Sequence, residues 1–210
     1  MKNNIHIADN LKAAFIDYIL DHFDDSVIIG HEVMYGSSGM FVDLILLYKG
    51  ETYAIEVKSD GDSLYRIDNQ IKEYKKQFNY VIIVCGEKYL KTLRDKLPKG
   101  IGLYLYDTNA QITQIRKASS RTRLDKEEML FSIKTTYLSR MADFSTTNMG
   151  PDAIRNKYAK KRISCIQETL YNYWVSRLKP NYQNFMSERG SQTIPSDLSN
   201  FSSFRVEPAF

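Results

Sequence analysis

Two carboxylates and one amine fall on neighbouring predicted strands of this chain. The strands flank the turn Lys49-Gly50, and a two-residue loop there pairs residues whose numbers sum to 99, which sets Asp43 opposite Glu56. Opposed side chains of an antiparallel pair have Cβ atoms ~4.5–5.5 Å apart, and like charges there are destabilising unless something compensates them. A divalent cation would provide that compensation.

Lys58 adds a positive charge to the same predicted patch. It follows Glu56 by two residues, so both side chains lie on one face of their strand, together with Asp43. Hard cations such as Mg²⁺ take carboxylate oxygens and phosphate oxygens, and a water that they bind becomes a better nucleophile near neutral pH. Lys58 would orient that water or stabilise negative charge developing on phosphorus. The register also allows a second interpretation, in which the acids are surface charges and Lys58 pairs with one of them.

The same residues resemble the signature of a known superfamily. An Asp at the end of one strand followed by Glu56-Val57-Lys58 on the next is similar to the (P)D-(D/E)-x-K motif of the restriction-endonuclease-like phosphodiesterases. The chain continues with Ser59-Asp60-Gly61-Asp62 and then places Arg66, Gln70 and Tyr74 at four-residue steps. This run resembles RecB-like and virus-type replication-repair nucleases, and a group of uncharacterised bacterial and phage proteins assigned to the superfamily. The resemblance covers roughly residues 12–106.

The resemblance implies both a fold and a site. Its core is a helix, three antiparallel strands, a helix and a parallel strand. It implies Asp43 and Glu56 as ligands of Mg²⁺ or Mn²⁺, Lys58 as the catalytic amine and Gln70 as a group that positions water or phosphate. Glu32, eleven residues before Asp43, is the candidate for an additional metal ligand. The residue before Asp43 is Val, whereas the motif name has Pro at that position. Many active members of the superfamily also lack this Pro.

Other polar residues near the motif have either two possible roles or an expected structural or surface role. Arg66 and Tyr74 are either a substrate clamp or an ordinary helix face capped by Asp62. Asp17 and Asp21 lie where some relatives place a ligating Glu, and we expect both to be solvated charges. The three histidines lack metal-ligand spacing, which favours structural or surface roles: His6, His22 and His31.

Hydrophobic periodicity predicts an α/β protein with a restriction-endonuclease-like core, a central mixed sheet flanked by helices, followed by an α-helical C-terminal region. Asn10 is the predicted cap of the first helix. The predicted strands span residues 27–35, 40–48, 52–58, 80–85, 101–106 and 111–116, and the predicted helices of this part span 11–23, 64–78 and 87–97. We predict a nuclease-like domain at 1–118, a basic helical region at 119–190 with a break near Met149-Gly150-Pro151, and a flexible tail at 191–210 with Phe201, Phe204 and Phe210 as docking anchors.

Basic charge concentrates in the C-terminal half. Residues 1–115 carry 13 basic and 16 acidic side chains, a net charge of −3, whereas residues 116–210 carry 16 and 9, a net charge of +7. Lys160, Lys161 and Arg162 precede an amphipathic helix and are candidates for contacts with nucleic-acid phosphates. For any single one of these residues, a role on a solubilising helix face is the favoured interpretation. The aromatic residues of that helix, Tyr171, Tyr173 and Trp174, are predicted core residues before they are stacking platforms.

Composition limits the remaining classes. The 210 residues are 43% hydrophobic with a net charge of +4, which is typical of a globular chain. The longest apolar runs are far shorter than the ~20 residues of a membrane span, and no leader is recognisable, so we expect a cytoplasmic protein. Two cysteines, Cys85 and Cys165, form no disulfide or zinc pattern. No phosphate-binding loop of an ATPase occurs.

These observations predict a divalent-metal-dependent nuclease whose substrate is DNA. Two alternatives stay open. One is a catalytically silent nucleic-acid-binding or regulatory protein on the same fold, with affinity from the basic half. The other is an interaction module of a larger phage or defence system, which would form homo-oligomers or bind a protein partner through its helical half.

Overall fold

One six-stranded sheet forms the centre of the molecule. The structure is a computed structural model that describes the backbone of residues 2–201 and the side chains of residues 7–199 and 201. The strands are, in chain order, β1 (Ile28–Tyr35), β2 (Met40–Tyr48), β3 (Glu51–Lys58), β4 (Tyr80–Gly86), β5 (Gly102–Tyr106) and β6 (Ile112–Arg116). Their order in the sheet is the same as their order in the chain. The pairs β3–β4 and β4–β5 are parallel and the other three are antiparallel, so the sheet is mixed.

The hairpin of β2 and β3 has the predicted register. Its ladder runs from Tyr48 opposite Glu51 to Leu44 opposite Ile55, so paired numbers sum to 99. The turn fixes this register because Lys49 and Gly50 both adopt positive φ angles, 47° and 83°, as a two-residue hairpin turn of the type I′ class requires.

Seven α-helices and a 3-10 helix complete the described part of the chain. They are α1 (Lys2–His22), α2 (Ile67–Gln77), α3 (Glu87–Lys96), α4 (Lys126–Phe131), α5 (Thr135–Met141), α6 (Pro151–Ala159), α7 (Ile163–Glu188) and the 3-10 helix Pro195–Asn200. The α/β class and the helical C-terminal region are as the sequence predicts. None of these helices combines the length and the apolar character needed to cross a membrane.

The helical C-terminal region shares its core with the sheet. Trp174 of α7 is 2% exposed and stacks on Phe78, which follows α2, with ring centroids 5.2 Å apart. Helix α7 crosses the sheet most closely at Gly30, where an added Cβ would lie 2.9 Å from Leu178. Helix α1 covers the other face, because Phe15 and Leu46 line one cavity while Ile45, the neighbour of Leu46, lies beside Gly30. The predicted boundary near residue 118 therefore does not separate two hydrophobic cores.

Two helix starts differ from the sequence prediction. Helix α1 begins at Lys2, so Asn10 lies inside it and is not its cap. Helix α2 begins at Ile67 with Arg66 as its N-cap residue. Asp62 does not cap α2, because its Oδ2 accepts hydrogen bonds of 2.7 Å from both the backbone N–H and the hydroxyl of Ser59. That contact holds the connection from β3 to α2 in a loop.

Residues 191–201 pack on the sheet and α1, which differs from the flexible tail predicted there. Asp17 of α1 is not a solvated charge: its Oδ1 lies 2.7 Å from Arg189 Nη2, and its carboxylate also accepts hydrogen bonds from Thr193. Leu198 and Phe201 are 2% and 1% exposed. Phe201 is thus an anchor as predicted, while Phe204 and Phe210 lie outside the described residues. The segment orders because burial of these two side chains offsets the entropy of fixing a short chain.

We expect Phe201→Ala to destabilise the fold by about 3 kcal/mol, because Phe201 packs on Phe185 with ring centroids 4.4 Å apart and its removal leaves a cavity. Urea unfolding followed by circular dichroism measures the change. Ile194→Ala is the matched control in the same segment, since Ile194 is 55% exposed, and should cost less than about 0.5 kcal/mol. Equal costs for the two variants would show that this segment does not contribute to the core.

Candidate active site

The carboxylate of Glu56 is buried and held by three side chains. Glu56 is 3% exposed and lies on the face of β3 that α2 covers. Its Oε1 accepts hydrogen bonds from Lys58 Nζ at 2.7 Å and from Gln70 Nε2 at 2.5 Å, and its Oε2 accepts one from the hydroxyl of Tyr74. A buried charge requires this degree of pairing, because each unpaired lone pair costs desolvation free energy. The sequence motif therefore converges on a single carboxylate.

Tyr74 acts on that carboxylate and does not form a substrate clamp. Its side chain is fully buried, and its pKa is raised well above the usual value, first by burial and then by the charge of Glu56. The hydroxyl consequently stays protonated and donates to Glu56. Arg66 differs, because it lies exposed at the start of α2 and remains accessible to a ligand.

Asp43 lies beside this cluster at the end of the β2–β3 ladder. Its Oδ2 accepts a hydrogen bond of 2.8 Å from the backbone N–H of Val57. Removal from water and, next, the negative charge of Glu56 raise the pKa of Asp43 to about 7, although Lys12, the Val57 N–H and Lys58 oppose the shift. Burial and the nearby Glu56 thus outweigh the two lysines, and the Asp43 carboxyl holds its proton more tightly than it would in water.

Lys12 is the functional-site residue that the sequence reasoning missed. It comes from α1, is 7% exposed, and places Nζ 3.8 Å from Asp43 Oδ1 and 3.5 Å from Glu32 Oε1. A signal was present, because position 12 belongs to the apolar stripe of Phe15, Ile16 and Ile19 at helical spacing. A lysine on such a stripe indicates a buried acidic partner.

His31 is a structural partner of Lys12. The histidine is 6% exposed, its Nδ1 lies 3.1 Å from the carbonyl oxygen of Leu198, and its Nε2 lies 3.2 Å from Lys12 Nζ. Burial, and then the charge of Lys12, lowers the pKa of His31 to about 4. The neutral ring therefore donates from Nδ1 to Leu198 and accepts from Lys12 at Nε2. His22 is also structural, with Nδ1 2.7 Å from the carbonyl oxygen of Tyr18, and the side chain of His6 lies outside the described ones.

Glu32 is close to Asp43 but does not complete a three-acid metal site. The β1–β2 ladder pairs His31 with Leu44 and Val33 with Val42, and Glu32 and Asp43 lie between these two pairs. Its φ angle of +50° is unusual for a residue with a side chain. The side chain is 43% exposed and contacts Lys12 and His31. Among the described residues no group of three or more Asp, Glu, His or Cys side chains is placed to hold a metal ion.

Some oxygen atoms of the site are not saturated with hydrogen bonds, and they suit a hard cation bound by two protein carboxylates. An ionised carboxylate offers about four lone-pair positions, and Glu56 uses three of them. Gln70 turns its amide nitrogen to Glu56, and its Oε1 is buried with no hydrogen-bond partner in the described structure. Asp43, Glu56 and this orphaned oxygen are ligand types that Mg²⁺ takes directly or through water.

The predicted phosphate contacts in the basic half lie elsewhere. Lys160, Lys161 and Arg162 form the junction of α6 and α7. Lys161 Nζ lies 2.8 Å from Asp143 Oδ1, and its charge is engaged there. Lys160 and Arg162 are exposed. These residues have no described contact with the elements that carry Asp43 and Glu56, so the structure does not bring them together with the site.

Comparison with known proteins identifies a phage family. The family described as "Bacteriophage P4 protein cII" matches residues 1–202. The chain belongs to this family. Protein cII of Enterobacteria phage P4 is 26% identical over 194 residues, which cover 88% of this chain and 73% of the relative.

Two solved structures resemble part of this cII family member. A protein of unknown function from Silicibacter pomeroyi is 18% identical with a TM-score of 0.47, covering 64% of this chain and 88% of that one. An XisH family protein from Nostoc punctiforme is 16% identical with a TM-score of 0.35, covering 53% and 98%. Both likenesses are partial.

We expect Asp43→Asn to stabilise the metal-free protein above neutral pH. Because the pKa of Asp43 is raised to about 7, the folded state binds a proton more tightly than the unfolded state, and wild-type stability falls as pH rises from about 4 to about 7. Asparagine avoids that cost and keeps an acceptor for the Val57 N–H. The gain should be near zero at pH 4 and about 2 kcal/mol at pH 8, measured by urea unfolding in chelator.

Asp24→Asn is the control for this experiment. Asp24 is exposed, and the hydrogen bond from Lys49, with others from Ser26 and Tyr48, lowers its pKa. Neutralising it should slightly reduce stability at neutral pH, the opposite sign from Asp43→Asn. A gain at Asp43 that did not change between pH 4 and pH 8 would contradict the raised pKa of this carboxyl.

Proposed function

We propose that this cII family member is a divalent-metal-dependent nuclease that hydrolyses DNA phosphodiester bonds. The observation that carries the proposal is the buried Glu56 carboxylate, fixed by Lys58, Gln70 and Tyr74 and adjacent to an Asp43 carboxyl of raised pKa. A carboxyl of raised pKa that shares a cluster with a second acid and an amine is typical of catalytic sites. The strand and helix positions of these residues also match those that the (P)D-(D/E)-x-K resemblance implies.

Each side chain has a defined task in this proposal. Asp43 and Glu56 would hold Mg²⁺ or Mn²⁺, and the bound ion would supply neutralisation of phosphate charge and activation of the attacking water. Tyr74 fixes Glu56 Oε2 and thereby orients the carboxylate. Lys58 stabilises negative charge developing on the phosphoryl oxygens, and Gln70 Oε1 accepts a hydrogen bond from a water in the site. Lys12 limits the repulsion between the acids before the ion binds.

A catalytically silent nucleic-acid-binding role is the second candidate. It is favoured by Lys12, whose ammonium group lies 3.8 Å from Asp43 Oδ1 and supplies a positive charge without any metal. It is favoured also by the absence of a three-acid group among the described residues. In this role the chain would bind nucleic acid equally well in chelator and in Mg²⁺.

The decisive experiment compares the wild type with Glu56→Gln on circular and linear DNA in Mg²⁺, Mn²⁺ or chelator. We expect wild-type cleavage that requires the metal and a loss of at least 100-fold in Glu56→Gln, because the amide cannot supply the second anionic ligand. Asp21→Asn is the matched control, because it changes an exposed carboxylate of α1, and it should cleave as the wild type does. Binding without products in every metal would instead support the silent role.

Lys58→Met should lower kcat by about 100-fold with a smaller effect on KM, because Lys58 acts on charge that develops in the transition state. The control is Lys72→Met, which removes an exposed lysine from α2. Thermal unfolding of both variants separates a catalytic loss from a folding loss, since Lys58 pairs with buried Glu56. A folded Lys58→Met protein with wild-type kcat would refute the assigned role.

A further inference from the structure

A groove of about 310 Å³ opens between the β1–β2 hairpin and the helices α4, α6 and α7, and the connection from α4 to α5 completes its lining. The hairpin contributes one wall with Tyr35 and Phe41, and the helices contribute the opposite wall with Phe131, Tyr173 and Trp174. Neither the sequence motif nor the proposed chemistry uses this groove.

The charge of the groove has one sign. Three cations line it, Lys134, Arg155 and Arg177, and its lining includes no Asp or Glu. Arg155 pairs with Asp152 outside the groove, at 3.4 Å. Neither Lys134 nor Arg177 forms an ion pair with another residue in the described part of the chain. The groove therefore attracts an anion with several charges.

The groove also presents aromatic surface to solvent. Phe41 is 41% exposed and Phe131 is 43% exposed, although both are large apolar side chains. The guanidinium of Arg155 lies 4.8 Å from the ring centroid of Phe131. Exposed rings interleaved with cations are the surface on which unpaired bases stack while their phosphates are neutralised. An acidic peptide would use the cations but would leave the rings without a matching partner.

Two buried donors in the groove lining lack partners. The hydroxyl of Tyr35 and the Nε of Arg155 have no hydrogen-bond acceptor in the described structure. Tyr35 is 2% exposed, so its hydroxyl has no direct access to bulk water. Unpaired buried donors are costly, so the groove wall carries hydrogen-bonding capacity that the described residues leave unused.

The groove reaches the candidate active site through β2. Phe41 lines the groove and precedes Asp43 by two residues, and its carbonyl oxygen accepts a hydrogen bond of 3.4 Å from the hydroxyl of Tyr74. Tyr35 packs on Tyr74 with ring centroids 5.4 Å apart. The residue that fixes Glu56 thus also contacts the groove wall.

We propose that this groove binds single-stranded DNA, with a base stacked on Phe131 and phosphates at Lys134, Arg155 and Arg177. A duplex keeps its bases stacked on one another and cannot offer a base face to that ring. The inference deepens the proposed function by naming the form of its substrate, and it rests on that function only for the link to cleavage. Binding itself needs no metal.

Fluorescence anisotropy with a labelled 12-nucleotide oligonucleotide in chelator tests the groove without cleavage. We expect the wild type to bind the single strand more tightly than the corresponding duplex or RNA. Arg177→Gln should weaken binding about fivefold and reduce the slope of log affinity against log salt by about 0.7. Phe131→Ala and Phe131→Leu should each weaken binding about tenfold, because neither side chain stacks.

Lys91→Gln is the control, since it removes an exposed lysine from α3, which contributes no residue to the groove lining. It should bind as the wild type does, and all variants should unfold at the wild-type temperature. Wild-type affinity in both Arg177→Gln and Phe131→Leu would overturn the proposal, as would tighter binding of duplex DNA or RNA. Groove-dependent binding by a wild type that never cleaves would uphold the groove and refute the nuclease. Metal-dependent cleavage with unchanged affinity in the groove variants would uphold the nuclease and refute the groove.

Discussion

The burial of one carboxylate, that of Glu56, sets the requirements for the rest of the site. An ionised group at 3% exposure is tolerated only when its oxygens are paired, and three donors from two elements meet that need. Lys58 shares its strand, whereas Gln70 and Tyr74 require α2 to pack at one angle and one rotation above β3. Ile67 and Ile71 are the apolar residues that pack α2 onto the sheet. They therefore help to position the donors to Glu56 as well as stabilise the fold.

The contacts of Lys12 link this cluster to the opposite side of the sheet. Asp43 stands between Glu56 and Lys12, and Lys12 in turn contacts His31, which is held by the carbonyl of Leu198. This chain of contacts connects the candidate active site to the 3-10 helix near the end of the described residues. The cII family match over residues 1–202 includes that 3-10 helix. The matched region therefore contains every residue of this chain of contacts.

The helical C-terminal region packs against the residues that position the Glu56 cluster. Trp174 stacks on Phe78 at the end of α2, and Tyr35 lies between Tyr74 and Phe78. The region is thus part of the packing that positions Tyr74 and Glu56. Its basic residues separate into two groups, with Lys161 paired to Asp143 at the α6–α7 junction and Arg177 directed by α7 to the groove beside β2.

The sequence by itself determined what depends on local geometry. Strand alternation, the positive-φ turn at Lys49-Gly50 and its two-residue length set the β2–β3 register, and that register brings Asp43 near Glu56. Tertiary structure alone decided which side chains from distant elements reach these acids. Lys12 arrives from α1 and Tyr74 becomes a buried support, because helix packing and not sequence spacing sets their distances. The packing of residues 191–201 and the groove beside Phe41 depend on long-range contacts for the same reason.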